Sequence, residues 1–167
     1  MPKLYHPADK WRDVVFAGIA LLVVIVDQLS KWWILTHLAI NESLVDFGFF
    51  RIIRIQNTGA AFGIFQGHPL VFTVFDFIGI AVFLALVLVG GRHCVFIDRM
   101  PVRTGIGLIL GGTIGNLIDR LRFGHVTDFL DFKVWPTFNV ADACVTVGVI
   151  ILIFCIIFLS KSPGKRV

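Results

Sequence analysis

Four long apolar stretches constrain this chain more than anything else in it. They fall at about 14–37, 69–90, 103–121 and 140–159. Each is near the ~20 residues a helix needs to cross a bilayer. Hydrocarbon offers no water to an open backbone, so segments that cross it are helices, which satisfy their own N–H and C=O groups. Four buried helices of a soluble domain are the competing interpretation, and composition argues against it. The chain is 57% hydrophobic and 16% charged, with mean hydropathy +0.88, whereas a soluble domain carries about a quarter charged residues. The expected fold is an all-α polytopic membrane protein, a single domain over 1–167.

The first stretch differs from a removed leader. Lys3, Lys10 and Arg12 precede it, but the apolar run continues into Asp27-Gln28 and Lys31-Trp32-Trp33 without a small-x-small cleavage site. It is expected to be a retained helix. Orientation follows from the basic residues. Nine fall on one side: Lys3, Lys10, Arg12, Arg92, Arg99, Arg103, Lys161, Lys165 and Arg166. The other side has Arg51, Arg54, Arg122 and Lys133, with Lys31 and Arg120 near helix ends. Both termini are therefore expected in the cytoplasm. The net charge of +4 is a topology signal and calls for no nucleic acid. Cys94, Cys144 and Cys155 have no metal spacing and read as small buried apolar residues.

Two outer connections carry structure of their own. Residues 49–55 (Phe-Phe-Arg-Ile-Ile-Arg-Ile) are rich in β-branched and aromatic side chains, which suggests a strand. The glycines of Asn57-Thr58-Gly59-Ala60-Ala61-Phe62-Gly63 permit tight turns. The outer β segment is placed at about 40–66. Residues 122–138 mix Phe123, Phe129, Phe132 and Trp135 with Asp128, Asp131 and Lys133, which suits a segment lying in the headgroup region.

Charged groups inside spanning segments cost roughly 2.5–3.5 kcal/mol each on insertion scales and mark function or pairing. Here they cluster. Asp27 and Lys31 share a helix face four residues apart, as do Asn116 and Arg120. Asp119 lies beside Arg120, Asn139 and Asp142 open the fourth stretch, and Asp128 lies between stretches three and four. All collect by topology just inside the outer membrane face. Each has a structural alternative. Asp27 with Lys31 could be a plain ion pair, and Asp119 and Arg120 could be helix-end charges reaching water. Asn139 could be an N-cap and Asp142 a first-turn acid. Asp128 by itself reads as a solvated loop acid. Asp76 stands apart in the second stretch, where hydrogen bonding to a neighbouring helix would explain it.

The chain offers no buried Ser-His pair, no base beside a cysteine, no His/Glu metal motif and no phosphate loop. Carboxylates remain. Two neighbouring aspartates share one proton, so that one activates water while the other protonates the carbonyl. That chemistry needs no metal or cofactor.

Five motifs then occur in order: Asp27-Gln28-Leu29-Ser30-Lys31, Asn57-Thr58-Gly59-Ala60-Ala61-Phe62-Gly63, Gly115-Asn116-Leu117-Ile118-Asp119-Arg120, Gly124-His125-Val126-Thr127-Asp128-Phe129 and Phe138-Asn139-Val140-Ala141-Asp142. Together they resemble the lipoprotein signal peptidase (signal peptidase II) family of bacteria, over about residues 14–159. The resemblance implies four transmembrane helices, a small extracytoplasmic β-cradle and a surface helix at about 128–136. It implies Asp128 and Asp142 as the catalytic pair, with Asp27, Lys31, Asn57, Gly59, Asn116, Asp119, Arg120 and Asn139 in support. Asn57 and Arg120 are expected to position the substrate backbone, and Asp119 with Arg120 to brace the site. It further implies an inner-membrane protein with its site near the outer face. The substrate would be a diacylglyceryl-modified prolipoprotein cleaved before the lipidated cysteine. Membrane lipids and globomycin-type inhibitors are the other expected partners, and the protein is expected to be a monomer. Asp76 matches none of the motifs, so Asp76→Asn is expected to be tolerated. The alternative from another class is a small proton-coupled transporter subunit using Asp27, Asp119 and Asp142.

Overall fold

The computed structural model describes residues 7–59, 69–90 and 94–159. Four helices and a three-stranded sheet follow in the order α1 (Pro7–His37), β1 (Ser43–Asp46), β2 (Arg51–Asn57), α2 (Pro69–Ala85), α3 (Met100–Phe123), β3 (Val126–Asp131) and α4 (Val140–Phe154). Helices α2 and α4 each run on into a π-helical turn, Leu86–Gly90 and Cys155–Leu159.

Helix α1 buries one stripe: Phe16, Ala20, Val23, Asp27, Lys31, Ile34 and, just past its end, Leu38. The spacing of three and four is that of a single helix face. Its other faces carry exposed Leu21, Leu22, Ile25, Val26, Leu29 and Trp32. Apolar side chains on both faces would be a large sticky surface in water and suit a helix bathed in lipid. Three described helices are long and apolar enough to cross a membrane: Trp11–His37, Leu70–Gly90 and Val140–Phe158.

Helix α3 is as long as a span, at 24 residues, but less apolar. The reason is its place in the bundle. It packs against α1, α2 and α4, so it needs small residues for close approach more than bulk for lipid. Gly111 and Gly112 face opposite neighbours. A Cβ on Gly111 would lie 2.6 Å from the Ala20 carbonyl oxygen of α1, and one on Gly112 2.5 Å from the Ala141 carbonyl oxygen of α4. Pro101 suits the first turn of α3, where its missing N–H is no loss. Gly124 ends the helix in the left-handed conformation at φ 73°, returning its N–H to the Arg120 carbonyl.

The sheet caps one end of the bundle in the order β1-β2-β3, all antiparallel. Ile55 opposes Asp128 and Asn57 opposes Val126. Phe129 packs with Ile34 and Leu38, and so seats the sheet on the end of α1. The far half of the bundle is closed by Phe16, Ala20, Val87, Val102, Ile106, Leu110 and Cys155.

Two expectations are corrected. The segment at 128–136 is not a surface helix: 126–131 are strand β3, and 132–137 are irregular chain. Pairing with β2 decides this, because it satisfies the backbone of β3 across the sheet. The strand expected at 49–55 runs instead from Arg51 to Asn57, with a partner strand before it at 43–46. The part of the outer β segment at 60–66 lies outside the described residues, as do Lys3, Arg92, Lys161, Lys165 and Arg166.

Candidate active site

The polar residues of the five motifs meet at the sheet end of the bundle, one to three turns in from the helix ends. Three layers build the site.

The deepest layer is ionic. Lys31 is 1% exposed and Asp27 fully buried. Lys31 Nζ lies 2.9 Å from Asp27 Oδ2 and 3.4 Å from Asp119 Oδ2. A buried charge without partners is very costly, and here each is held several times over. Asp27 Oδ1 accepts the Ala141 backbone N–H at 3.0 Å, and Asp119 Oδ2 accepts that of Thr127 at 2.9 Å. Gln28 Nε2 donates to Asp27 Oδ2, the Gly115 carbonyl and Asp119 Oδ1. Gly115 leaves the space: a Cβ there would lie 2.5 Å from Asp27 Oδ2. This layer ties α1 to α3, β3 and the start of α4.

The middle layer is amide. Lys31 Nζ donates to Asn116 Oδ1 at 2.9 Å. With its oxygen so occupied, Asn116 turns its NH2 to Asp142 Oδ1, at 2.8 Å. Asn139 is the hub. It caps α4, its Oδ1 accepting the Asp142 backbone N–H at 3.0 Å. Its own backbone N–H donates to Asp142 Oδ2 at 3.1 Å, completing a capping box. Its Nδ2 reaches Asp128 Oδ1 at 2.7 Å. Asn57 Nδ2 donates to the other oxygen of Asp128 at 2.8 Å. The Gly59 N–H bonds to Asn57 Oδ1 at 3.0 Å and fixes that amide's orientation.

The top layer is the pair itself. Asp128 comes from β3 and Asp142 from the first turn of α4, and both line one cavity of about 350 Å³. Asn57, Gly59, Asn116 and Arg120 line it too, with apolar walls from Phe72, Trp135 and Phe138. Burial, and next the negative charge of Asp142, push the Asp128 carboxyl up to about 7. The bonds from Asn57 and Asn139 oppose that shift without cancelling it. At neutral pH the pair is thus poised to hold one proton between two carboxyls. One acid and one base beside an apolar cavity can hydrolyse an amide.

All ten site residues expected from the sequence lie in this assembly. Asp119 and Arg120, expected to brace the site together, engage different partners. Successive residues on a helix point about 100° apart. Asp119 turns into the ionic layer and Arg120 toward α2, where its Nη1 bonds Asp76 Oδ2 at 2.7 Å. Asn57 is engaged with Asp128. Sequence reasoning did not single out Gln28, although it sits between Asp27 and Lys31 in the first motif. It gave no hint of Phe72, whose apolar character suits any lipid-facing helix.

Residues 19–158 match the family model described as Signal peptidase (SPase) II. The chain is 42% identical over 152 residues to the lipoprotein signal peptidase of Moorella thermoacetica, covering 90% of this chain and 98% of that one. It is 42% identical over 153 residues to that of Dehalococcoides mccartyi, covering 92% and 95%. Two solved structures, both described as bacterial membrane enzymes, superpose with TM-scores of 0.79 and 0.75. Their identities are 30% and 31%; coverage is 92% of this chain and 93% of the first, and 95% and 98% for the second.

Proposed function

The chain belongs to the signal peptidase II family of aspartic peptidases, and from that premise we propose that Asp128 and Asp142 are its catalytic pair. It is a lipoprotein signal peptidase, and it processes prolipoproteins. The observation that carries the residue assignment is the double hold of Asn139. One asparagine bonds Asp128 through its amide and Asp142 through its backbone N–H, so the two carboxyls are placed relative to each other.

The roles follow from the surroundings. Asp128, raised to about 7, holds the shared proton. Asp142 is the base: it takes a proton from a water molecule whose oxygen attacks the scissile carbonyl carbon. Asp128 gives its proton to the carbonyl oxygen. The resulting gem-diol collapses as Asp142 returns a proton to the leaving nitrogen, Asp128 takes back a proton from one hydroxyl, and the C–N bond breaks to release the amine and the carboxylic acid. Asn57 and Asn139 hold Asp128, and Asn116 holds Asp142. Asp27, Lys31 and Asp119 form the frame beneath, and Arg120 meets the substrate backbone.

The substrate is a prolipoprotein already carrying a diacylglyceryl group, cut just before the lipidated cysteine. Its acyl chains lie along the apolar helix faces while the peptide enters the cavity from the sheet side. This requires α3 to be a fourth span sheathed by the other three. It also requires the termini to be cytoplasmic and the sheet to lie as a cradle at the outer face of the inner membrane. Globomycin-type peptides would occupy the same cavity, and the enzyme would act as a monomer. The test is a gel-shift cleavage assay in detergent with diacylglyceryl-modified prolipoprotein, unmodified precursor and an Asp142→Asn variant. The expected result is cleavage of the lipidated substrate alone, lost in the variant. Full cleavage by Asp142→Asn would sink the pair.

A further inference from the structure

Asp76 fits none of the motifs, and yet its ion-pair partner Arg120 lines the cavity. Asp76 and Phe72 are four residues apart on α2 and share one face. Between them they hold the Arg120 guanidinium. Its Nη1 donates to Asp76 Oδ2 at 2.7 Å, and its carbon stands 5.5 Å from the centre of the Phe72 ring. Both partners are largely buried, with side chains 12% and 14% exposed. The other N–H groups of Arg120 bond none of the described residues, and Arg120 lines the cavity together with Asp128 and Asp142.

A guanidinium in that position has two competing attractions. It can donate to a substrate carbonyl, or it can swing onto the carboxylates of the pair, which are the strongest acceptors within the site. The charged groups around the pair are Asp27 and Lys31 of α1, Asp76 of α2, and Asp119 and Arg120 of α3. Lys31 is already committed to Asp27 and Asp119. Arg120 is the cation whose placement is left to be decided, and Asp76 on α2 is its counter-ion. We infer that Asp76 is a positioning residue, which holds Arg120 on the α2 side of the cavity so that its fork meets the substrate backbone instead of the catalytic carboxylates. The inference rests on the proposed roles of Asp128, Asp142 and Arg120. It reverses the expectation from sequence that Asp76→Asn is silent.

A structural pairing of α2 with α3 would affect folding alone. A positioning role affects KM and the pH profile, because a released Arg120 favours the doubly ionised pair. The experiment is steady-state cleavage of lipidated prolipoprotein by the full-length enzyme in detergent, across pH, for wild type, Asp76→Asn, Arg120→Gln and the double variant. Asp76→Asn is expected to raise KM about 10-fold, the scale of one charged hydrogen bond, and to move the alkaline fall of activity to lower pH. In the Arg120→Gln background, removing Asp76 is expected to change neither quantity further. A wild-type KM and pH profile in Asp76→Asn would overturn the inference, as would equal effects of Asp76→Asn in both backgrounds. If Asp76→Asn is too unstable to purify, Phe72→Leu takes its place in the same cycle: it removes the ring from the other side of the guanidinium, and the same two outcomes decide. An Asp142→Asn control separates the failures: an inactive control with a silent Asp76→Asn defeats this inference only, whereas an active control defeats the catalytic pair.

Discussion

The bundle holds ionic clusters at both ends, and they differ in burial and in charge balance. At the end away from the sheet, Arg103 is bonded to Asp13 and to Asp98, and Asp98 also holds Arg12. Among these four described residues two cations meet two acids, and Arg12 and Asp13 have further partners besides. At the sheet end, Lys31 and Arg120 meet Asp27, Asp76, Asp119, Asp128 and Asp142. Both clusters join α1 to α3 or its approach, so a buried ion pair does not by itself mark a site. The surplus of acid does. The sheet-end cluster holds more acids than cations, and burial together with the Asp142 charge pushes the Asp128 carboxyl up to about 7. Around the surplus the chain also leaves a cavity.

The largest expected effect tests that asymmetry directly. Asp128→Asn or Asp142→Asn should lower cleavage at least about a thousandfold, as loss of an acid–base group does, with the thermal unfolding midpoint nearly kept. Asp98→Asn at the other end should leave kcat within about a factor of two of wild type; a comparable loss there would erase the distinction between the ends.

Lys31→Met should destabilise the folded protein by about 3–5 kcal/mol, because it strands Asp27 and Asp119 as buried acids. Arg103→Met should destabilise on a similar scale. The clusters part company in activity per folded molecule, which should fall only for Lys31→Met. Unfolding in detergent, followed by assay of the folded fraction, separates the two quantities.

Gly115→Ala is a smaller and more local break. Its Cβ would press on Asp27 Oδ2 and tilt the frame under the pair, with an expected rate loss of about 10- to 100-fold. Gly18→Ala, with nothing within 4 Å of the new carbon, should be neutral within about 0.5 kcal/mol. Rates and melting curves of the two variants, measured side by side, check this.

The smallest effect is a shift in pH. Cleavage should fall as pH rises through about 7, where Asp128 loses the shared proton. Asn57→Ala removes a bond that favours the ionised carboxyl, so its alkaline limb should move to higher pH. For stability the sign is the same. The folded carboxyl sits above its ordinary value, so its contribution is fully present in acid and is lost as pH rises through about 7. A limb that stays in place in Asn57→Ala would mean that Asn57 does not set the proton's affinity.

How much of this was legible in the sequence varies with the distance over which each feature is decided. The helices were, since a helix of lipid-facing residues closes its own hydrogen bonds and needs no partner to be recognised. The N-cap role of Asn139 was, being a relation three residues long, although the reciprocal bond from Asp142 was not singled out. The least apolar helix was read as a span by its length, and its glycines make sense only beside Ala20 and Ala141. Strand β3 was missed because its partner β2 lies some 70 residues earlier in the chain.

By itself the sequence determined the class of the protein and the clustering of its polar residues at one end, because hydropathy and helical spacing are local properties; Asp128 and Asp142 were singled out only by the resemblance of the ordered motifs to a family. Tertiary structure alone decided which charges meet. Asp119 and Arg120 are neighbours in the chain, yet one turns to Lys31 and the other to Asp76. Partner choice among buried charges is fixed by which helices pack together, and that is settled only when the whole bundle closes.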